Sequence, residues 1–264
     1  MPIRTEYPEG TPSWVDLATT DPESAAAFYG TLFGWTRNEM PTGDGGTYSM
    51  LHKDGHEVAG MMEQEPRQRE AGVPPNWTTY IAVEDVDAST AKVAGLGGTV
   101  HAPPFDVMES GRMAVIQDPT GAFFGLWQAK NHIGAGLVNE PGSVTWNELN
   151  TRGAVAARDF YARLLDLEMS IQDMGEMGEY TTLMKGDTMV AGVMDMAPGV
   201  PDFVRPHWLV YFATDDVDST VAKATALGAT VTAAPMEIPG VGRFAVLDDP
   251  HGATFAVMKF EEVT

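Results

Sequence analysis

The sequence predicts an α+β fold built from two tandem domains. The first observation is an internal repeat at an offset of 131 or 132 residues, by which Phe28-Tyr29 returns as Phe160-Tyr161 and the run that begins at Asp118-Pro119 returns at Asp249-Pro250. The second is the order of patterns inside each repeat, where a strand, a helix and three strands follow one another twice. The third is the length, because 264 residues suffice for two domains of ordinary size.

Each repeat begins with a short strand and an amphipathic helix. Alternation along residues 14–19 places Trp14 and Asp16 on the same face of the predicted strand. Asp21 is a typical N-cap for the helix that follows, whereas Gly153 stands at that position in the second repeat, so we expect the second helix start to be fixed less firmly. One helical face is marked in the first repeat by Ala25, Phe28, Tyr29 and Leu32.

Hairpins complete the repeated unit. Strand-like segments at 47–51 and 58–62 flank Asp54-Gly55, and their counterparts in the second repeat flank Gly186-Asp187, so both dipeptides are predicted to form hairpin turns. A second strand begins near Trp77, and its unit closes with a type I turn at Asp118-Pro119-Thr120-Gly121. The predicted architecture is therefore a strand, a helix and three strands, four times over.

The repeat divides the chain into a first domain at 1–130, a linker at 131–142 and a second domain at 143–264. The linker is predicted from its Gly134, Gly136, Pro141 and Gly142. It is short enough to keep the two halves in contact.

Composition limits the partners and the location. Sixteen basic and thirty-seven acidic residues give a net charge of -21, an acidic surface that repels nucleic acid and anionic membranes. The sequence contains no cysteine and no apolar run near the roughly 20 residues that cross a bilayer, and its first residues lack a signal core. We therefore expect a cytoplasmic protein that binds neither nucleic acid nor a membrane.

A βαβββ unit used in pairs, with an Asp-Pro-x-Gly-Ala turn and a Phe-Tyr pair on its first helix, resembles the vicinal oxygen chelate superfamily. That superfamily includes glyoxalase I, extradiol dioxygenases and the fosfomycin- and bleomycin-resistance proteins. The resemblance covers essentially the whole chain. The repeated Gly-Arg-x-Ala-Val at 111–115 and 242–246 is similar to the tandem actinobacterial type, typified by the mycobacterial 27-kDa antigen. The resemblance implies tandem glyoxalase-like domains, each with two βαβββ modules that pair into a half-barrel cleft.

The resemblance also implies where metal ligands would stand, and this chain departs from it there. The expected ligand positions hold Trp14, Gly60, Thr78, Gly125, Trp146, Gly192, Leu209 and Ala256. None of these side chains is a metal ligand. Asp16, Glu148 and His207 lie two residues from such positions, but neither half gathers the three protein ligands of a catalytic zinc site. We expect no metal site and no cofactor, and a divalent ion held by these three residues is the alternative.

Aromatic side chains and one carboxylate per half are predicted to line the clefts instead. Gly125 and Ala256 are expected to leave room beside the aromatic rings, which suits a flat or partly apolar molecule. An alternative interpretation is that the tryptophans and tyrosines only fill the core. The expected ligand-binding residues are Trp14, Asp16, Tyr48, Tyr80, Trp127, Trp146, Glu148, Tyr180, His207 and Tyr211.

Two functions are compatible with these residues. The first is a metal-free protein that binds an aromatic or partly apolar metabolite or drug, like the bleomycin-resistance proteins, in resistance or as an accessory in secondary metabolism. The alternative is a glyoxalase-type lyase, or another enzyme acting on methylglyoxal or thiol adducts, with an unusual metal site and Asp16 or Glu148 as general base. The expected partner is a small organic ligand. A monomer is expected because one chain supplies both halves, and a dimer is the alternative.

Overall fold

The computed structural model describes residues 2–42, 46–175 and 178–261. Its first half contains β1 (Pro12–Thr19), α1 (Pro22–Phe33), β2 (Thr36–Pro41), β3 (Thr47–Lys53), β4 (His56–Glu63), α2 (Pro66–Glu70), β5 (Asn76–Ala82), α3 (Val86–Val93), β6 (Thr99–Val107), β7 (Gly111–Gln117) and β8 (Phe123–Ala129). Its second half contains β9 (Val144–Thr151), α4 (Ala154–Leu165), β10 (Glu168–Asp173), β11 (Glu179–Lys185), β12 (Thr188–Asp195), β13 (His207–Ala213), α5 (Val217–Ala226), β14 (Thr230–Ile238), β15 (Gly242–Asp248) and β16 (Thr254–Phe260). No helix within these described ranges is long and apolar enough to span a membrane.

Each half forms its own eight-stranded sheet with the same strand order. In the first half that order is β2-β3-β4-β1-β5-β8-β7-β6, and the second half repeats it from β10 to β14. The two βαβββ modules of a half meet where β1 pairs antiparallel with β5, or β9 with β13. The predicted α+β fold of tandem paired modules is therefore confirmed.

The two module-opening helices begin differently, as their capping residues predict. The Asp21 side chain accepts a hydrogen bond from the Ser24 backbone N–H at 3.0 Å. The second helix starts at Gly153, which has no such side chain, but Asp195 Oδ1 at the end of β12 accepts from the Ala154 backbone N–H at 3.0 Å. A carboxylate from the neighbouring strand thus fixes a helix start that the local sequence leaves open.

The inner faces of the two sheets build two cores that both halves share. In one core, the buried face of α1 and Leu17 of β1 pack with Phe212 of β13 and Phe255 of β16. The other core joins α3, β7 and β8 of the first half with α4, β11 and β12 of the second. Neither half therefore completes a core from its own residues.

The repeated Phe-Tyr and Asp-Pro motifs meet across this boundary. Tyr29 Oη donates to Asp249 Oδ2 at 3.0 Å and accepts from Trp77 Nε1 at 3.1 Å. In the mirrored core, Tyr161 Oη donates to Asp118 Oδ2 at 3.2 Å and accepts from Trp208 Nε1 at 3.0 Å. Each tyrosine on a helix thus anchors the Asp-Pro turn of the opposite half.

Removal of one such hydroxyl is expected to destabilise the whole protein. In Tyr29→Phe, a buried Asp249 oxygen loses a donor and the Trp77 N–H loses its acceptor, so the free energy of unfolding should fall by about 2 kcal/mol. Urea unfolding of Tyr29→Phe and of its counterpart Tyr161→Phe measures this. A change below about 0.5 kcal/mol in both variants would show that the motif contact contributes nothing.

Candidate functional site

The outer faces of the two sheets carry a second set of buried side chains. Along β1, Val15 and Leu17 face the shared core, while Trp14 and Asp16 face the other way. The outer cluster of the first sheet, here called the first cleft, contains Trp14, Met50, Tyr80 and Trp127, with Tyr48 at its edge. The corresponding second cleft contains Leu209, Tyr211, Ala256 and Met258, with Trp146 and Phe244 partly buried.

Asp16 is the buried carboxyl group of the first cleft, with only 4% of its surface exposed. Its Oδ2 accepts hydrogen bonds from Tyr80 Oη at 2.9 Å and Tyr48 Oη at 3.5 Å, and Tyr48 Oη accepts from Trp14 Nε1 at 2.9 Å. Burial raises the pKa of Asp16 to about 7, against the lowering effect of the two tyrosine hydroxyls. The carboxyl group therefore titrates near neutral pH.

The small residues beside these tyrosines do not leave empty room in the first cleft, and that expectation was wrong for it. A Cβ on Gly60 would lie 1.8 Å from Tyr48 Oη, and a Cβ on Gly125 would lie 2.2 Å from Tyr80 Cδ1. The tyrosine side chains occupy the space above the two glycines. Their role is to admit the rings that reach Asp16.

Glu148 is the equivalent group of the second cleft. Tyr180 Oη donates to Glu148 Oε2 at 2.9 Å and Tyr211 Oη donates to Oε1 at 2.9 Å, while Asn150 Nδ2 approaches Oε1 at 3.3 Å. Tyr180 Oη accepts from Trp146 Nε1 at 3.0 Å, which repeats the arrangement of the first cleft. Burial raises the pKa of Glu148, and the hydrogen bonds from the tyrosines lower it.

His207 lies at one end of the second cleft. It is the Cα partner of Asn150, two residues from Glu148 along β9, and its Nδ1 is 2.9 Å from the Arg205 carbonyl oxygen. Burial lowers the pKa of His207, against the effect of the Arg205 carbonyl. The structure thus groups five of the predicted side chains in the first cleft and four in the second, while His207 lies at the start of β13 and bonds to Arg205. Ligand binding by them stays a prediction.

The linker residue His132 lies in the first cleft, a placement that the linker prediction did not include. Its ring packs edge-on against Trp14, with centroids 4.5 Å apart, and against Trp127 at 5.8 Å. Its Nδ1 is 2.9 Å from Glu57 Oε2, and Trp127 Nε1 donates to its carbonyl oxygen at 2.9 Å. The apolar residues Ala135, Leu137 and Val138 among the glycines of the linker are the sequence signal that this segment packs against the protein, and all three are buried.

The donor set of the clefts does not fit a metal ion of the kind found in the superfamily's metal-dependent members. Each cleft offers one carboxyl group, and tyrosine hydroxyls already donate to it. Within the described part of the chain, no three His, Cys, Asp or Glu side chains come together in a possible metal site. The absence of a metal remains an expectation that rests on this donor chemistry.

Arg112 and Arg243 pair with carboxylates outside the two clefts. Arg112 forms two hydrogen bonds with Asp87, at 2.8 and 3.0 Å, and lies 3.4 Å from Asp106. Arg243 repeats the pairing with Asp218 at 2.8 Å. Both tie a helix to its neighbouring hairpin outside the clefts.

The sequence and this geometry place the chain in a known superfamily. Residues 11–126 match the Glyoxalase/Bleomycin resistance protein/Dioxygenase superfamily, and residues 146–258 match the Glyoxalase-like domain. The chain belongs to this superfamily, with one such domain in each half.

Two named relatives are similar over nearly their whole length. The Mycobacterium tuberculosis protein named "Putative glyoxylase CFP32" is 51% identical over 261 residues, which is 98% of each chain. The "Anthracycline biosynthesis protein DnrV" of Streptomyces peucetius is 41% identical over 269 aligned positions, covering 98% of this chain and 96% of that protein.

Solved structures show the same fold at low sequence identity. The Mn(II)-bound glyoxalase from Novosphingobium aromaticivorans has a TM-score of 0.66 at 16% identity, covering 97% of this chain and 84% of that one. The 2,3-dioxygenase LapB from Pseudomonas sp. KL28 has a TM-score of 0.66 at 14% identity, covering 96% and 93%. These likenesses concern the fold alone.

Proposed function

We propose that this protein binds a flat, partly apolar organic molecule without a metal ion and serves as an accessory or resistance factor in secondary metabolism. The observation that carries the proposal is the second cleft, where the partly exposed Trp146 stands beside a buried, hydrogen-bonded Glu148. An indole face offers stacking, and the carboxyl group with its tyrosines offers a polar anchor beneath it.

The relatives support the same chemical class of ligand. One of them is named for anthracycline biosynthesis, and anthracyclines are planar polycyclic aromatic compounds. The relative and this chain match from end to end, so both carry the tandem arrangement. An aromatic cleft and an aromatic product class are consistent with binding of such a compound or a precursor.

The proposal is tested by titration with 1,4-dihydroxyanthraquinone as a planar probe. Trp146→Ala should raise the Kd at least tenfold because the stacking surface is lost, which corresponds to about 1.4 kcal/mol or more of binding free energy. Trp146→Phe keeps a ring and should retain most of the affinity, and Val73→Ala is a surface control in the other half. Equal affinity of Trp146→Ala and the wild type would contradict the proposal.

A second candidate, a glyoxalase-type enzyme, is favoured by one specific observation. Asp16 has a pKa of about 7, and burial raises that of Glu148, which suits a general base near neutral pH. The relative named "Putative glyoxylase CFP32" also supports the glyoxalase-type candidate. The deciding measurement is elemental analysis together with turnover of the methylglyoxal–glutathione hemithioacetal, with and without Mn²⁺ or Zn²⁺. Stoichiometric metal and metal-dependent turnover, lost in Glu148→Gln, would replace the binding proposal.

A further inference from the structure

We propose that the linker fills the first cleft in the place of a ligand, so that the protein takes one planar aromatic molecule per chain, in the second cleft. This inference rests on the proposed function and specifies which of the two similar clefts carries it out. It follows from what covers the outer cluster in each half.

The linker is docked along its whole passage over the first cleft. Gly134 approaches β1 so closely that a Cβ would lie 2.2 Å from the Ser13 carbonyl oxygen, and its φ of +115° also favours glycine. The Ala135 backbone N–H then donates to the Ser13 carbonyl at 2.8 Å, and Gly136 N–H donates to the Glu57 carbonyl at 2.8 Å. Tyr7 Oη donates to the Ala135 carbonyl oxygen at 2.7 Å.

His132 occupies the position that a ligand ring would take. Its imidazole contacts both Trp14 and Trp127 and is held by Glu57, as described above. Its Nε2 is buried and has no hydrogen-bond partner among the described residues, which is consistent with a ring packed against aromatic surfaces. Trp14 is accordingly only 6% exposed. The imidazole of the chain itself thus packs edge-on against both indole rings of the first cleft.

The matching end of the second cleft presents exposed apolar side chains. The counterpart of Glu57 is Met189, which is 64% exposed, and the counterpart of Trp14 is the partly exposed Trp146. Val241 and Phe260 correspond to Ser110 and Ala129 beside the linker, and they are 39% and 44% exposed. The ion-pairing residue of the first cleft is therefore replaced by an apolar one.

These differences define the kind of molecule that fits. The ring is expected to lie against Trp146 where His132 lies against Trp14, with Met258 in the place of Trp127. Met189 stands where Glu57 pairs with the His132 ring, so a ligand ring at this position meets a thioether in place of a carboxylate, and an aromatic ring without a basic nitrogen at that edge is favoured. Methionine side chains also adapt to ligands of different outline.

The test uses a matched pair of variants, since Phe244 in the second cleft corresponds to Met113 in the first. Calorimetric titration of the wild type with 1,4-dihydroxyanthraquinone should give one site per chain. Phe244→Ala should raise the Kd at least fivefold, and Met113→Ala should leave it within twofold. Two sites per chain, or equal loss in both variants, would overturn the inference while the proposed function stands.

A second measurement tests the filled cleft without the aromatic probe. His132→Gly leaves a cavity of imidazole shape, so imidazole should raise the Tm of this variant by about 3 °C or more and leave the wild type unchanged. The rescue should weaken in His132→Gly/Glu57→Gln, because Glu57 accepts the ring N–H. Failure of imidazole to stabilise a folded His132→Gly would contradict the inference. If the aromatic probe does not bind the wild type at all, the proposed function fails instead, and this arm still reports on the linker.

Discussion

Asp16→Asn is expected to gain stability over the wild type as the pH rises from about 4 to about 7. The pKa of Asp16 is about 7 in the folded protein and lies near 3.8 when the chain unfolds. Between these values the folded state binds the extra proton, so the stability of the wild type falls as the pH rises through this window. The amide has no such proton to lose. The unfolding free energy of Asp16→Asn relative to that of the wild type should therefore rise by about 4 kcal/mol across this pH range. Urea unfolding at several pH values measures this difference.

Two companion substitutions check the sign of this effect. Glu148→Gln should also gain stability relative to the wild type as the pH rises, because burial raises the pKa of Glu148 as well. Asp87→Asn should behave in the opposite direction, since the hydrogen bond from Arg112 lowers the pKa of Asp87 and the wild type gains from it above the ordinary pKa. A gap that stays constant for Asp16→Asn would show that its carboxyl group is ionised at no cost in the folded state.

Gly125→Ala is expected to destabilise the protein by about 3 kcal/mol through overpacking. The added methyl group would meet the Tyr80 ring at 2.2 and 2.5 Å, close to the backbone, where the side chain has little freedom to move. The displaced ring would also lose its hydrogen bond to Asp16. Gly95→Ala is the matched control because no other described part of the chain lies within 4 Å of the added Cβ, and its unfolding free energy should stay unchanged or rise by up to about 1 kcal/mol.

The second half indicates how the Gly125→Ala defect can be repaired. There Ala256 is the Cα partner of Tyr211, and the carboxyl group that Tyr211 reaches at 2.9 Å is the longer Glu148. A longer carboxylate therefore accompanies the alanine at this strand position. Adding Asp16→Glu to Gly125→Ala should recover about 1 kcal/mol, read from the double-mutant cycle. Strictly additive effects would show that the two positions are independent.

The repeat and its periodicity predicted the fold because they are local and regular. Alternation along β1 correctly separated Trp14 and Asp16 from the core side chains, and the cleft positions of Tyr48, Tyr80, Tyr180 and Tyr211 followed from the same parity. The alternation along a strand indicates which face of the sheet a side chain lies on. It does not indicate the distance between two side chains on that face. The sequence could therefore not tell that the tyrosines donate to Asp16 and Glu148.

Long-range contacts account for the rest of what was missed. Asp195 fixes a helix start 41 residues earlier in the chain, and His132 reaches Glu57 across 75 residues. Gly125 was expected to leave space in the cleft because glycine has no side chain. The structure shows that the ring of Tyr80, 45 positions away, takes that room. Such pairings depend on the tertiary packing of the strands and leave no periodic trace.

The shared cores also explain which parts of the duplicated sequence have drifted apart. Tyr29 joins Trp77 of its own half to Asp249 of the opposite half, so a change at this tyrosine disturbs both halves at once. The tyrosines that donate to Asp16 come from the first half and those that donate to Glu148 come from the second, so a change in one of these clefts concerns one half. The core pair Tyr29 and Trp77 recurs as Tyr161 and Trp208, while the position of Trp127 in the first cleft holds Met258 in the second. The shared cores thus couple the two halves, and a substitution in one outer cleft can alter that cleft while the other keeps its own side chains.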